Sequence, residues 1–171
     1  MACKITTSQT IGPFPHEGWR WAFDATIASP SKSPTLVIEG TVLDGDGEPI
    51  NDAVLEAWSP AAAVDDAGHA IPAFRRVPTG DQGEFSFELP RPRSPQGEPV
   101  LYLTLFARGV LKHQFSAAFL EDDASLGQSA LLAQVPAERR VTLIAKKLAD
   151  GRYRWDVRMQ GELETVFFDY E

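Results

Sequence analysis

Alternation of apolar and polar residues dominates this chain and limits its fold more than any other feature. In the segment YRWDVRMQ (153–160), every second residue is apolar, and the residues between them are charged or carry amides. Because successive side chains of a strand point to opposite faces, this pattern predicts a strand with one buried face. The same period recurs in the segments 36–42 and 84–89, and further strand candidates are the segments 54–58, 100–107, 114–120, 141–146 and 164–168.

Turn-forming residues separate the predicted strands. The segments DGDG (44–47) and TGDQG (79–83) are typical of tight turns, and the segment 90–99 is rich in proline. One short helix is predicted over residues 125–134, where apolar residues precede Pro136. The predicted fold is therefore all-β, an antiparallel β-sandwich with an extended N-terminal arm and one short helix.

The length of the chain predicts a single domain. Its 171 residues are enough for one hydrophobic core and too few for two ordinary domains. We expect residues 36–171 to form the β-sandwich. Residues 1–35 contain several prolines and lack strand alternation, which predicts an extended arm. Since such an arm buries little of its own surface, we expect it to lie across a partner.

The charge balance argues against several function classes. A formal net charge of −8 opposes binding to nucleic acid or to an anionic membrane, because both need a basic surface. The hydrophobic fraction of 43% is that of a globular protein, and no run of about 20 apolar residues occurs. The first residues lack the apolar segment of a signal peptide, and the single cysteine fits a reducing compartment, so we expect a cytoplasmic protein.

No complete catalytic set is visible in the sequence. His16, His69 and His113 are far apart, and none has a second metal-ligating residue at chelating spacing. The segment DGDGE (44–48) resembles a calcium loop superficially, but Pro49 and Leu55 stand where such a loop needs glycine and glutamate. A non-catalytic β-sandwich for binding or assembly therefore stays open, and so does a single-chain metalloenzyme built on the three histidines.

Several segments carry a resemblance to a known family. They are TSQTIGPF (7–14), VIEGTVLDGDGEPINDAVLEAW (37–58), FRR (74–76), TGDQGEF (79–85), LFARG (105–109), TLIAK (142–146) and QGELETVFFD (160–169). Together they resemble the intradiol ring-cleaving dioxygenases, and within that family the α-type subunits that pair with a β-type subunit. The resemblance covers most of the chain and implies a β-sandwich.

The resemblance also implies where the metal is held. In this family the β-type subunit binds Fe(III) through two tyrosines and two histidines, and the histidines lie two residues apart on one strand, so that both face the metal. In the present chain Leu101 and Leu103 occupy the aligned histidine positions. The resemblance therefore implies that this chain binds no metal and that Fe(III) belongs to a partner β subunit. Regular alternation would turn Arg108 away from these two leucines and leave it free to serve a neighbouring subunit.

Substrate-contacting residues of this chain are implied by the same resemblance. The α-type arm that lines the substrate pocket is matched by Thr10, Gly12, Pro13 and Phe14, with Phe14 in place of a frequent tyrosine. Arg108 matches an arginine that favours the anionic carboxylate of protocatechuate. The implied reaction inserts both atoms of O2 between the hydroxyl-bearing carbons of this small aromatic substrate and gives 3-carboxy-cis,cis-muconate, a step of aromatic catabolism.

Overall fold

The structure is a computed structural model that describes residues 14–23, 35–60, 74–91 and 97–169, without the side chain of Trp21. The described residues contain nine β-strands: β1 Thr35–Leu43, β2 Val54–Trp58, β3 Phe74–Pro78, β4 Glu84–Pro90, β5 Leu101–Phe106, β6 Gln114–Leu120, β7 Ile144–Ala149, β8 Arg152–Arg154 and β9 Val157–Arg158. They also contain the α-helices α1 Pro15–Gly18, α2 Arg20–Phe23 and α3 Ala130–Ala133, and 3-10 helices over Leu126–Gln128 and Ala137–Leu143. None of these helices in the described part is long and apolar enough to cross a membrane. The predicted all-β fold is confirmed.

Burial follows the alternation of the sequence in the long strands. In β1, every second residue from Leu36 to Val42 is buried, and the residues between them are half-buried. β4 buries Phe85, Phe87 and Leu89 and exposes the polar residues that separate them. One face of each strand therefore packs on the core, as a period of two predicts.

The strands form one sheet that is nearly closed into a barrel-like sandwich. Its strand order is β3-β2-β5-β6-β7-β8-β1-β4, and β9 pairs with β1 beside this path. The two ends of the order are linked, because Arg75 Nε on β3 donates to the carbonyl oxygen of Glu88 on β4 at 3.1 Å. The pairs β1–β8, β1–β9 and β6–β7 are parallel, so the predicted antiparallel pattern holds for the other pairs. The helical segment between β6 and β7 supplies the crossover that a parallel pair requires.

Two groups of buried residues form the core. The larger group lies inside the sheet and includes the inward residues of β1, β4 and β5. The smaller group lies on the outer face of β6, where Ala117 and Phe119 belong to one cluster with Leu132, Val135 and Leu143 from the segment that leads to β7. β6 is therefore buried on both faces.

Two predicted elements are interrupted, each for a local reason. The predicted strand 153–160 is split into β8 and β9, and between them Asp156 Oδ1 accepts a hydrogen bond from the N–H of Thr41 at 3.0 Å. A side chain thus takes the place of a backbone partner in the ladder. The predicted helix 125–134 is divided at Ser129, which has an extended backbone and caps α3 by accepting the N–H of Leu132.

Other predicted boundaries are wrong. The segment 141–146 begins as a 3-10 helix and becomes a strand at Ile144. The segment 164–168 forms a single antiparallel bridge, between Phe115 and Phe168, in place of a strand. β3 was not predicted, because its adjacent arginines break the alternation. Within the segment expected to be an extended arm, the described residues include α1 and α2.

Candidate functional site

The two positions that the resemblance aligns with the family's histidines lie in the core. Leu101 and Leu103 are 0% and 1% exposed on the inner face of β5, within the larger core group. A metal ion needs nitrogen, oxygen or sulfur ligands, which leucine does not offer. Among the described residues, no three His, Cys, Asp or Glu side chains converge to hold a metal ion. The residues present at this position therefore do not fit an iron site.

Arg108 lies in a tight turn directly after β5. The N–H of Val110 donates to the carbonyl oxygen of Ala107 at 3.3 Å and closes the turn around Arg108 and Gly109. Gly109 has a φ of +83°, which a type II turn requires at its third position and which glycine adopts without strain. Because β5 ends at Phe106, the turn sets the direction of Arg108, and the alternation assumed from the sequence does not extend to it.

Asp52 faces Arg108 at this end of the sheet. β2 and β5 are antiparallel with Val54 opposite Phe106, and the same register continued by two residues places Asp52 opposite Arg108. Arg108 Nε lies 2.9 Å from Asp52 Oδ2, and the two side chains are 62% and 11% exposed. A nearly buried carboxylate thus tethers the guanidinium group, while most of the arginine side chain faces solvent. An exposed and oriented guanidinium group is suited to bind a carboxylate.

The described end of the N-terminal arm packs on the last residue of β5. Trp19, between α1 and α2, meets Phe106 edge-on, with ring centroids 4.9 Å apart. Phe14 begins this segment, and its carbonyl oxygen accepts the N–H groups of Glu17 and Gly18. The side chain of Phe14 is 50% exposed. A ring with that exposure at the start of the helical segment is accessible to another molecule.

The guanidinium group of Arg76 anchors the arm to the sheet. Arg76 on β3 pairs with Glu56 on β2, and Arg76 Nε donates to Glu56 Oε1 at 2.7 Å. The guanidinium group of Arg76 also lies over the rings of Trp19 and Phe74, 5.0 Å and 5.3 Å from their centroids. Cation–π contacts stabilise by about 0.5–2 kcal/mol each. Trp19 is therefore held both by Arg76 and by the end of β5.

The structure describes some of the predicted site residues and not others. Thr10, Gly12 and Pro13 lie outside the described residues. Phe14 belongs to the helical segment that packs on the end of β5, and Arg108 lies in the turn after that strand. Within the described part of the chain, no hydrogen bond, ion pair or ring contact joins Phe14 to Arg108.

Sequence reasoning missed two residues that position this region. Asp52 holds Arg108, and Trp19 holds the arm. Asp52 precedes β2 by two positions and Arg108 follows β5 by two positions. These equal offsets identify a residue pair only when the register between β2 and β5 is known. The sequence of either segment alone does not specify that register.

The histidines of the alternative metalloenzyme hypothesis have aromatic neighbours. The ring of His113 lies against those of Phe106 and Phe115, with centroids 5.6 Å and 4.6 Å apart. The ring of His16 lies 6.1 Å from that of Phe14. In the described part, neither histidine belongs to a group that could hold a metal ion. His69 lies outside the described residues.

Two curated proteins are similar to this chain over nearly its whole length. The protocatechuate 3,4-dioxygenase alpha chain of Burkholderia cepacia is 37% identical, with 97% of this chain and 98% of that protein covered. The protocatechuate 3,4-dioxygenase alpha chain of Pseudomonas putida is 33% identical, with 96% of each chain covered. None of the protein-family models compared with the chain matches it.

Solved structures share the fold. The dioxygenase domain of a dioxygenase and carbohydrate-binding protein fusion from Streptomyces sp. SirexAA-E has a TM-score of 0.56 at 18% identity, covering 82% of this chain and 86% of that chain. Catechol 1,2-dioxygenase from Pseudomonas arvilla C-1 has a TM-score of 0.56 at 16% identity, covering 80% of this chain and 55% of that chain. At these identities the likeness concerns the fold alone.

Proposed function

The chain belongs to the protocatechuate 3,4-dioxygenase alpha chain family, and we propose that it is the non-metal-binding alpha subunit of such an enzyme. Its partner in this proposal is a beta subunit that binds Fe(III). The two subunits complete a site that cleaves protocatechuate with O2 to 3-carboxy-cis,cis-muconate, in the β-ketoadipate pathway. The designation of both relatives as alpha chains supports a second, beta-type chain.

One observation carries the proposal. Leu101 and Leu103, which the resemblance aligns with the family's iron-binding histidines, are buried in the core. A chain that is similar to alpha chains over its full length but offers no ligands at those positions needs its metal elsewhere. We therefore assign the chemistry of Fe(III) with the ring and O2 to the beta subunit, and binding and orientation of substrate to this chain.

Arg108 is the residue to which we assign recognition of the substrate's carboxylate. Its side chain is 62% exposed and its direction is set by a closed turn and by Asp52. A charge-assisted contact to a carboxylate stabilises by about 1.5–3 kcal/mol when water is largely excluded, as at a subunit interface. The arm residues Thr10, Gly12, Pro13 and Phe14 complete the proposed contact surface. The exposed ring of Phe14 supports this assignment.

The proposal is tested by reconstitution with a beta chain from the same organism. We expect the chain alone to show no ring cleavage, and the two chains expressed together to co-purify and consume O2 with protocatechuate. In that complex, Arg108→Leu should raise KM for protocatechuate about tenfold to a hundredfold, because a charge-assisted contact is lost. KM for catechol, which has no carboxylate, should change little.

A matched control is Arg91→Leu. Arg91 directly follows β4, and its guanidinium group lies 2.8 Å from the carboxylate of Asp150. This substitution should leave both KM values unchanged. Equal changes of KM for protocatechuate and catechol in Arg108→Leu would remove Arg108 from carboxylate recognition. A chain that cleaves protocatechuate alone would contradict the two-subunit proposal, and a chain that never associates with the beta chain would favour a non-catalytic β-sandwich for binding or assembly.

A further inference from the structure

We propose that Asp52 is a positioning residue for substrate recognition, which holds the guanidinium group of Arg108 in the direction of the substrate's carboxylate. The inference rests on the proposed function, because it assigns a role to Asp52 through Arg108. Asp52 itself has no contact with substrate in this proposal. Its carboxylate fixes one nitrogen of the arginine and leaves the other two for the ligand.

The backbone next to Asp52 is rigidly held. The N–H of Ala53 donates to Thr79 Oγ1 at 3.0 Å, and the N–H of Thr79 donates to the carbonyl oxygen of Ala53 at 3.0 Å. Asp52 is 7% exposed, and Thr79 is 7% exposed as well. The carboxylate of Asp52 is therefore presented from a fixed and nearly buried point at the start of β2.

The nearest contact of Asp52 with Arg108 involves Nε, whereas a carboxylate ligand can bind the two terminal nitrogens. The ion pair joins Arg108 Nε to Asp52 Oδ2 at 2.9 Å. In this proposal the two terminal nitrogens of Arg108 bind the carboxylate of the ligand. Two parallel donors from the terminal nitrogens match the geometry of a carboxylate, which is the arrangement that arginine offers and lysine does not.

Two effects of Asp52 on substrate binding oppose each other. Asp52 holds the long and exposed side chain of Arg108 in one direction. Arg108 therefore loses less conformational entropy when the substrate binds. That cost for one side chain corresponds to about a twofold to tenfold change of affinity. The negative charge of Asp52 also weakens the attraction of Arg108 for an anion, so that its removal alone would lower KM. If removal of the Asp52 carboxylate raises KM, the positioning of Arg108 is the larger effect. If it lowers KM, the repulsion between Asp52 and the anion is the larger effect.

The test uses the complex of this chain with its beta chain. Asp52→Asn keeps the size of the buried side chain and removes its charge. We expect KM for protocatechuate to rise about twofold to tenfold, with kcat retained and KM for catechol unchanged. Asp150→Asn removes the acidic partner of another Asp–Arg pair, at 2.8 Å from Arg91, and should leave all values unchanged.

A double-substitution cycle separates this inference from the role of Arg108. In Arg108→Leu complexes, Asp52→Asn should cause no further change of KM, because the group that it positions is absent. If Arg108→Leu shows the expected selectivity but Asp52→Asn leaves KM unchanged, lowers it, or raises it equally for catechol, the positioning role is overturned and the proposed function stands. If Arg108→Leu itself shows no selectivity, both assignments fall.

Assembly provides the control for folding. Asp52→Asn complexes should co-purify with the beta chain and unfold at the same temperature as the wild type. Should Asp52→Asn not assemble, Asp52→Ser carries the same expectation for KM. Loss of assembly in both variants would assign Asp52 to the fold and overturn the positioning role.

Discussion

At the scale of single residues, Leu103 and Leu105 form a matched pair that separates a core role from a site role. Both lie on the inner face of β5, and both are 1% exposed. The resemblance aligns Leu103, and not Leu105, with a histidine ligand of the family. We predict that Leu103→Ala and Leu105→Ala each lower the free energy of unfolding by about 2–5 kcal/mol, through lost burial and the cavity left behind. Urea denaturation of the two variants measures this.

The two variants should also behave alike in the complex with the beta chain. Below their unfolding temperatures, both should retain the wild-type KM for protocatechuate, because neither leucine contacts substrate in the proposed site. Loss of ring cleavage in Leu103→Ala with normal activity in Leu105→Ala would assign Leu103 a function beyond packing.

The sequence alone predicts a site feature where the chemistry of a single side chain is sufficient to indicate it. Leucine at the two positions that the resemblance aligns with the family's ligands predicts, without any knowledge of the fold, that this chain holds no metal there. Arg108 could also be singled out, through the same resemblance. Its partner Asp52 could not, because the pair depends on the register between β2 and β5, which are separated by more than forty residues of chain.

At the scale of elements, Gly40 in the middle of β1 allows the close approach of a neighbouring backbone. The N–H of Trp155 donates to the carbonyl oxygen of Glu39 at 2.9 Å, which brings the chain at Trp155 against β1. A Cβ at position 40 would lie 1.9 Å from the carbonyl oxygen of Trp155 and 2.9 Å from Phe85 Cζ. We predict that Gly40→Ala lowers the free energy of unfolding by about 3 kcal/mol or more, because backbone must move.

Gly127 provides the control for this prediction. A Cβ added at Gly127 meets nothing within 4 Å, and the residue has no positive φ. Gly127→Ala should change the free energy of unfolding by about 0.5 kcal/mol or less. Urea denaturation of both variants is the measurement. Equal stability of the two would mean that the approach of Trp155 to β1 is not fixed in solution.

Elements with strict alternation could be predicted, and elements held by side-chain hydrogen bonds could not. β1, β4 and β5 follow the period of two almost residue by residue. The break between β8 and β9 depends on Asp156 bonding to Thr41, which is more than a hundred residues away. The alternation of apolar and polar residues around Asp156 contains no information about such a distant partner.

At the scale of the whole molecule, the parallel pair of β6 and β7 joins the two halves of the strand order. Its ladder consists of Phe119 opposite Ile144 and Leu120 opposite Ala145. The sequence predicted strands near both segments but not their parallel pairing, because strand propensity does not specify direction. Because the backbone ladder is short, side-chain contacts must add to the stability of this junction between β6 and β7, which we call the seam.

Carboxylates after β6 extend the seam towards β7 and β8. Glu121 Oε1 accepts from Lys146 Nζ at 2.9 Å, and Asp122 Oδ2 accepts from Lys147 Nζ at 2.7 Å. The hydroxyl of Tyr153 on β8 donates to Asp122 Oδ1 at 3.0 Å. The hydrogen bond from Lys147 lowers the pKa of the Asp122 carboxyl group, and the hydrogen bond from Tyr153 adds to this. Burial, aided by the bond to Asp122, raises the pKa of the Tyr153 hydroxyl.

These shifts predict how the stability of the molecule depends on pH. A carboxyl group with a lowered pKa in the folded state stabilises above its unfolded pKa of about 4, and this contribution is lost as the pH falls through the folded value. Tyr153 acts in the opposite direction, because its raised pKa stabilises the fold below about pH 10 and is lost as the pH rises further. The contribution of the seam should therefore be level between about pH 5 and 9 and decrease on both sides.

Asp122→Asn isolates the acid side of this dependence. At pH 7 the variant should be less stable than the wild type by about 1 kcal/mol or less, since Asp122 is partly solvated and solvent weakens the ion pair. At pH 3 the difference should be smaller, because the unfolded wild type takes up a proton at Asp122 at a higher pH than the folded carboxyl group with its lowered pKa. Urea denaturation at both pH values measures this, with Asp46→Asn as the control, since Asp46 has no ion pair among the described residues.

A difference in stability that is the same at pH 7 and pH 3 would show that the charge of Asp122 does not stabilise the seam, and that its hydrogen bond with Tyr153 is sufficient.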